Sequence, residues 1–155
     1  MRGRAMRLER TPPTEAAITE VCAFNLRFAE EHAYLPVNVE KGVAVTYSTA
    51  LNDTSFVVRN ATHEIVGSLG LFLDTIWYSD SLILYNRWLN VMPGRHEQGA
   101  LRILLGAAKE EAKAKGAAAL IIMRSNHRSE LRGPFGRVAE VVGYSPFGHG
   151  VRMRF

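Results

Sequence analysis

Apolar residues recur along this chain in two rhythms, and each change of rhythm marks an element. Between Thr14 and His32, Ala17, Ile18, Val21, Cys22, Leu26 and Ala29 follow three- and four-residue steps, the pattern of a helix with one buried face. Thr14 supplies an N-cap hydroxyl and Glu15 an acid in the first turn. Before it, Met6 to Arg10 reads as a short strand stopped by Thr11-Pro12-Pro13. After Pro36, Asn38 or a neighbour caps a second helix running to about Asn52, although Val43, Val45, Thr46 and Tyr47 favour strand and Gly42 weakens a helix. Ser55 to Asn60 and Ile65 to Leu73 form a hairpin around a turn at Ala61 to Glu64. Gly67 and Gly70 inside its second strand predict a bulge or a close approach by another group. Asp74 to Asp80 reads as a loop with exposed aromatics, and Ser81 to Val91 as a strand.

The helical rhythm returns after Met92. Leu101, Leu104, Leu105, Ala108 and Ala112 share one face, Lys109, Lys113 and Lys115 lie elsewhere, and Gly116 stops the helix. Ala117 to Met123 is an unbroken apolar run, as for a central strand covered on both faces. Arg124 to Arg128 follows as a loop. A last helix, interrupted early by Gly133-Pro134, covers Phe135 to Val142. Gly143-Tyr144 leads into a terminal strand or hairpin ending at Phe155.

Composition narrows the class. The 155 residues are 47% hydrophobic, which suits a single domain over residues 1–155 with a substantial core, its first five residues a flexible tail. No apolar run reaches the ~18 residues of a membrane span, and the basic start MRGRAMRLER has no apolar stretch of a secretory signal behind it. The single cysteine, Cys22, has no internal partner, so a reducing cytoplasm is the expected setting and a core role the expected use. His32, His127 and His149 lack metal-ligand spacing, so no metal is expected. The formal charge of +4, with Arg2, Arg4, Arg7 and Arg10 at the start, suits an anionic ligand or nucleic acid, but such a terminus reads first as a solvated tail.

Candidate chemistry centres on Met92 to Leu105, MPGRHEQGALRILL. A strand here breaks into a helix through a proline, two glycines and basic side chains. The unpaired N–H groups of the helix's first turn, together with its dipole, make an anion site that suits a phosphate.

This stretch and the chain on both sides of it resemble the Gcn5-related N-acetyltransferase (GNAT) family. The family's signature is a strand, V-x-P-x-x-R-x-x-G-x-G, and a helix with a leucine pair. Val91 and Pro93 match its start. Counting from Pro93 places His96 at the arginine, Gly99 and Leu101 at the glycines, and Leu104-Leu105 at the leucine pair. Counting from Arg95 places Gln98 and Ala100 at the glycines. The first register keeps the spacing on both sides and is preferred. The order of elements and the tail VGYSPFGHGVRMRF resemble the family from end to end.

The resemblance implies an α+β fold, with a mostly antiparallel mixed sheet of about six or seven strands and about four helices, splayed between the fourth and fifth strands. It implies acetyl-CoA as co-substrate, lying in that gap. Leu89, Asn90 and Val91 would offer backbone groups to the pantetheine. The loop and helix start, through Arg95, His96, Glu97, Gln98, Gly99, Ala100 and Leu101, would hold the pyrophosphate, and Asn126 would hydrogen-bond the pantetheine arm. An amine of a small molecule or protein would attack the thioester while backbone donors stabilise the oxyanion.

The sequence departs from the family where a base and an acid are wanted. SLILYNRWLNV has no acidic residue, and the position of the usual acidic tyrosine is Ala139. Tyr85, Ser125 or a water held by Asn86 are the substitutes on offer, and an unprotonated amine would need no base. Trp77, Tyr78 and Trp88 are either core or the lining of an acceptor pocket. Two alternatives to this N-acetyltransferase reading remain: a degenerate fold that binds CoA or a partner without turnover, and a nucleic-acid-modifying variant, the less favoured. Exposed sheet edges leave room for a homodimer.

Overall fold

In a computed structural model, the described residues are 6–33, 35–123, 134–147 and 150–155. The expected tail, the loop after Met123, Ser125 and Asn126 lie outside them. In chain order the elements are β1 (Met6–Arg10), α1 (Glu15–His32), α2 (Val39–Asn52), β2 (Thr54–Asn60), β3 (Ile65–Ile76), β4 (Ser79–Val91), α3 (Glu97–Ala114), β5 (Ala119–Met123), α4 (Pro134–Val142), β6 (Ser145–Phe147) and β7 (Gly150–Arg154). The strands form one sheet in the order β1-β2-β3-β4-β5-β7-β6. Every neighbouring pair is antiparallel except β4 and β5, which run parallel.

Two layers of helix cover the sheet. On one face Leu69, Leu71, Leu84, Leu89 and Val91 pack with Leu101, Leu104 and Leu105 of α3 and Phe135 of α4. On the other, Val57, Ile65 and Trp88 pack with Val21 and Phe24 of α1. Burying each large side chain stabilises the fold by about 1.5–3 kcal/mol, so the leucines of α3 are the largest local term holding that helix. Its C-terminus closes on Gly116, at φ 68°, with Ala117 N–H donating to Ala112 O at 2.9 Å, a left-handed cap that glycine adopts without strain.

The last helix is described from Pro134 to Val142, and Gly133 lies outside the described residues. Two expectations need correction. Asp74 to Asp80 is not a loop, because β3 continues to Ile76 and β4 begins at Ser79, so only Trp77 and Tyr78 turn the chain. The apolar run from Ala117 becomes strand only at Ala119, since Ala117 is still part of the α3 cap.

The second helix forms despite its β-branched residues. Asn38 Oδ1 accepts from Lys41 N–H at 3.0 Å, Thr46 turns its hydroxyl back to Gly42 O at 2.8 Å, and Tyr47 reaches Thr19 of α1 at 2.7 Å. A Cβ on Gly42 would lie 2.9 Å from Leu26 Cδ2, so the glycine lets the two helices close together. Tertiary packing here outweighs intrinsic propensity.

Candidate active site

The parallel pairing of β4 with β5 covers only Ile83–Ala119, Leu84–Leu120 and Tyr85–Ile121. At the next step the side chain of Asn86 takes over from the backbone. Its Nδ2 donates to Met123 O and its Oδ1 accepts from Met123 N–H, both at 2.7 Å. Beyond Asn86, β4 runs on to Val91 with no partner on that edge among the described residues, and the paired strands part after Tyr85 and Ile121.

A bulge falls at the same place. Gly70 faces Trp88 but Leu71 faces Asn86, so Arg87 is an extra residue on β4. The burial pattern requires it. Leu84 and Leu89 are five apart yet pack in the same cluster, which strict alternation forbids. Gly70 also meets the expected close approach, since a Cβ there would sit 2.5 Å from the Trp88 ring. Met92 N–H donates to Val66 O at 2.9 Å, so by alternation the backbone groups of Leu89 and Val91 point away from β3, towards the gap.

The start of α3 follows directly. Gly94 turns the chain at φ 125°, Glu97 N–H donates to Gly94 O at 3.2 Å, and His96 stands at the N-cap without a side-chain capping bond. Ala100 N–H is already committed to His96 O at 2.9 Å, and Leu101 N–H lies within the helical ladder. The amides of Gln98 and Gly99 have no intrahelical acceptor in such a turn. The side chains of Ala100 and Leu101 are buried in the core, and Gly99 turns its hydrogen-only face to the Met6 side chain. Arg95 is exposed, with Nε 3.3 Å from His96 Nε2.

On the opposite face of β4 a cavity of about 450 Å³ opens between α1, the chain before α2, α2 itself and Arg87, Trp88 and Asn90. Leu26, Ala29, Leu35, Val37 and Val45 line it with carbon. Its polar side is a fixed network in which Asn25 Oδ1 accepts from Ser68 Oγ at 2.6 Å and from Asn90 Nδ2 at 3.0 Å. Trp88 lines the cavity at 7% exposure, and its Nε1 has no hydrogen-bond partner among the described residues. The sequence hint for this network was Asn25, a polar residue within the apolar face of α1. Lys41, at the cavity's edge, carried no signal.

Tyr85 is half-buried, with its ring stacked on Phe72 at 5.6 Å between centroids, and is not part of the cavity lining. The Arg87 guanidinium covers the Phe72 ring at 4.0 Å. Ala139 is fully buried. Tyr144 donates to Leu105 O at 2.8 Å and burial pushes its hydroxyl pKa up, which makes it a structural group. Trp77 is 92% exposed at the β3–β4 turn, neither core nor cavity lining. Among the described residues no group of three or more His, Cys, Asp or Glu side chains gathers to hold a metal ion.

No family model matches the chain, and no curated protein matches it either. Solved structures do. A GNAT family acetyltransferase from Brucella melitensis in complex with acetyl-CoA superposes with a TM-score of 0.69 at 14% identity, covering 98% of this chain and 89% of that one. The acetyltransferase of GNAT family from Streptococcus pneumoniae gives 0.67 at 16%, covering 92% and 86%. The NatC complex bound to Gag peptide and CoA gives 0.69 at 9%, covering 97% and 99%. The fold is therefore the GNAT acetyltransferase fold, with its mixed sheet parted between β4 and β5.

Proposed function

We propose that the chain is an acetyl-CoA-dependent N-acetyltransferase acting on an amine of a small molecule or protein. The observation that carries this reading is the parting of β4 from β5 immediately before an uncapped helix start. Acetyl-CoA fits that arrangement and is the ligand held by the similarly folded Brucella melitensis protein. The backbone of Leu89, Asn90 and Val91 would pair with the amide-rich pantetheine. The amides from Arg95 to Gly99 would meet the pyrophosphate, with the Arg95 and His96 side chains beside it. Asn126 remains a candidate for the pantetheine arm.

The amine would enter from the cavity on the other face of β4. Its lone pair attacks the thioester carbonyl carbon, an N–C bond forms, and the C–S bond breaks. The amine's surplus proton ends on the thiolate, giving an amide and free CoA. We assign the backbone N–H of Arg87, the bulged residue, to the developing oxyanion. Among the described residues the lining contains Lys41 and Arg87 and no carboxylate, and apolar walls with cations disfavour an ammonium. A neutral amine thus needs no strong protein base. Tyr85 and Ser125 remain the proposed proton carriers to the leaving thiolate.

A second reading, binding of CoA without turnover, is favoured by the absence of acidic residues on β4 after Asp80 and by the burial of Ala139. Calorimetric titration with acetyl-CoA tests what the two share. Heat of binding is expected, and none at about 1 mM ligand, equivalent to weaker than about −4 kcal/mol, would remove both. Release of free thiol with a panel of amines then separates enzyme from binder.

A further inference from the structure

Resting on the transfer reading, we infer that the acceptor is a small amine with an apolar body and a carboxylate, of the kind a free apolar amino acid presents. The cavity walls set the body. Leu26, Leu35, Val37 and Val45 offer carbon, and about 450 Å³ suits a small molecule rather than a folded segment. Charge sets the second group. Lys41 and Arg87 are the charged side chains of the described lining, both exposed at its edge, and no carboxylate stands there to receive a second ammonium. A polyamine would bring like charge to that edge, whereas a carboxylate would meet two cations.

Asn25 and Thr46 are already committed: Asn25 Oδ1 is saturated by Ser68 and Asn90, and Thr46 is turned to Gly42 O. Trp88 lines the wall with its Nε1 shielded from the open space, so the indole meets a ligand through its ring. A ligand's oxygen atoms are therefore met by the two edge cations, beside the stretch of β4 that borders the gap.

Thiol release from acetyl-CoA is measured with L-leucine, L-methionine and L-phenylalanine, with their decarboxylated counterparts isoamylamine and phenethylamine, with spermidine, and with a Leu-initiated decapeptide. The amino acids should exceed the decarboxylated amines and spermidine by about ten-fold or more in kcat/KM, and Lys41→Gln should collapse that preference. Equal or faster turnover of the decarboxylated amines, or turnover of the decapeptide alone, overturns the inference and leaves acetyl transfer standing. A second readout is independent of turnover. The indole N–H resonances of Trp77 and Trp88 are assigned through Trp77→Phe, and L-leucine is titrated to about 10 mM, a weak-ligand range. Movement of the Trp88 resonance without that of Trp77 supports the inference even if no thiol is released. A stationary Trp88 resonance overturns it.

Discussion

Asn86 stands where two strands stop being neighbours. Its carboxamide presents a donor and an acceptor in the spacing of a peptide group, so it satisfies Met123 while β4 turns away. Leucine at this position would fill similar space and leave both Met123 groups unpaired in a half-buried setting. Asn86→Leu is expected to lower stability by about 1–3 kcal/mol in urea unfolding and to weaken acetyl-CoA binding, because the edge of the gap is no longer held. Unchanged affinity in the folded variant would show that this splint does not shape the cofactor site. Gly70 acts on the other face. An added methyl at Gly70→Ala meets the Trp88 ring at 2.5 Å, and the ring must leave the cavity wall. This variant should lose acceptor turnover, seen as a higher KM for the amine, while acetyl-CoA affinity by calorimetry stays near wild type.

At the scale of elements, β4 does different work along its two edges. One edge is zipped to β3 along its length, and the other is paired with β5 only from Ile83 to Tyr85. The amides of Leu89 and Val91 should therefore exchange with solvent faster than that of Met92, which is bonded to Val66. Saturating acetyl-CoA should slow the first two by about ten-fold or more and leave Met92 unchanged; exchange at Leu89 and Val91 that ignores the cofactor would place the pantetheine elsewhere. Much of this framework was legible in the residues. Strand and helix periods placed the elements around α1, β2 and α3, and Gly116 and Gly143 marked helix ends that the structure closes at φ 68° and 110°. What escaped depended on distant neighbours. The bulge at Arg87 rests on β3 across the ladder, and the cavity on the packing of α1 and α2 over Trp88. The expected cofactor residues of β4 and the start of α3 fall within one stretch from Leu89 to Leu101, which a local pattern can mark. The proposed acceptor cavity draws on residues from Asn25 to Asn90, which no local pattern joins.

Across the whole molecule, the first strand is tied to the central helix by residues 101 positions apart. Arg10 forms two bonds to Glu111, at 2.8 and 3.1 Å, and Thr54 Oγ1 donates to the same carboxylate at 2.7 Å. Glu111 is 7% exposed while the Arg10 side chain is 57% exposed, so the partners do not have equal alternatives. Arg10 can be hydrated when released; Glu111 cannot. Burial pushes the Glu111 pKa up, but the bonds from Arg10 and Thr54 outweigh it and hold the carboxyl below its ordinary range. A carboxyl so depressed contributes stability that is present above its unfolded pKa of about 4.3 and is lost as pH falls through the lower native value. Arg10→Ala strands a buried anion with Thr54 as its remaining bond, and should cost roughly 1–3 kcal/mol at pH 7, below the usual range for a broken buried pair because that bond survives. Protonated Glu111 has no charge for Arg10 to neutralise, so the gap between wild type and variant should narrow as pH falls through the native value. Urea unfolding at a series of pH values reads that gap directly, and a difference that stays constant from about pH 7 to pH 3 would mean the ion pair is not what ties β1 to α3. Acetyl-CoA affinity at pH 7 should be the same in both proteins, since the pair lies at the opposite end of α3 from the amides of Gln98 and Gly99.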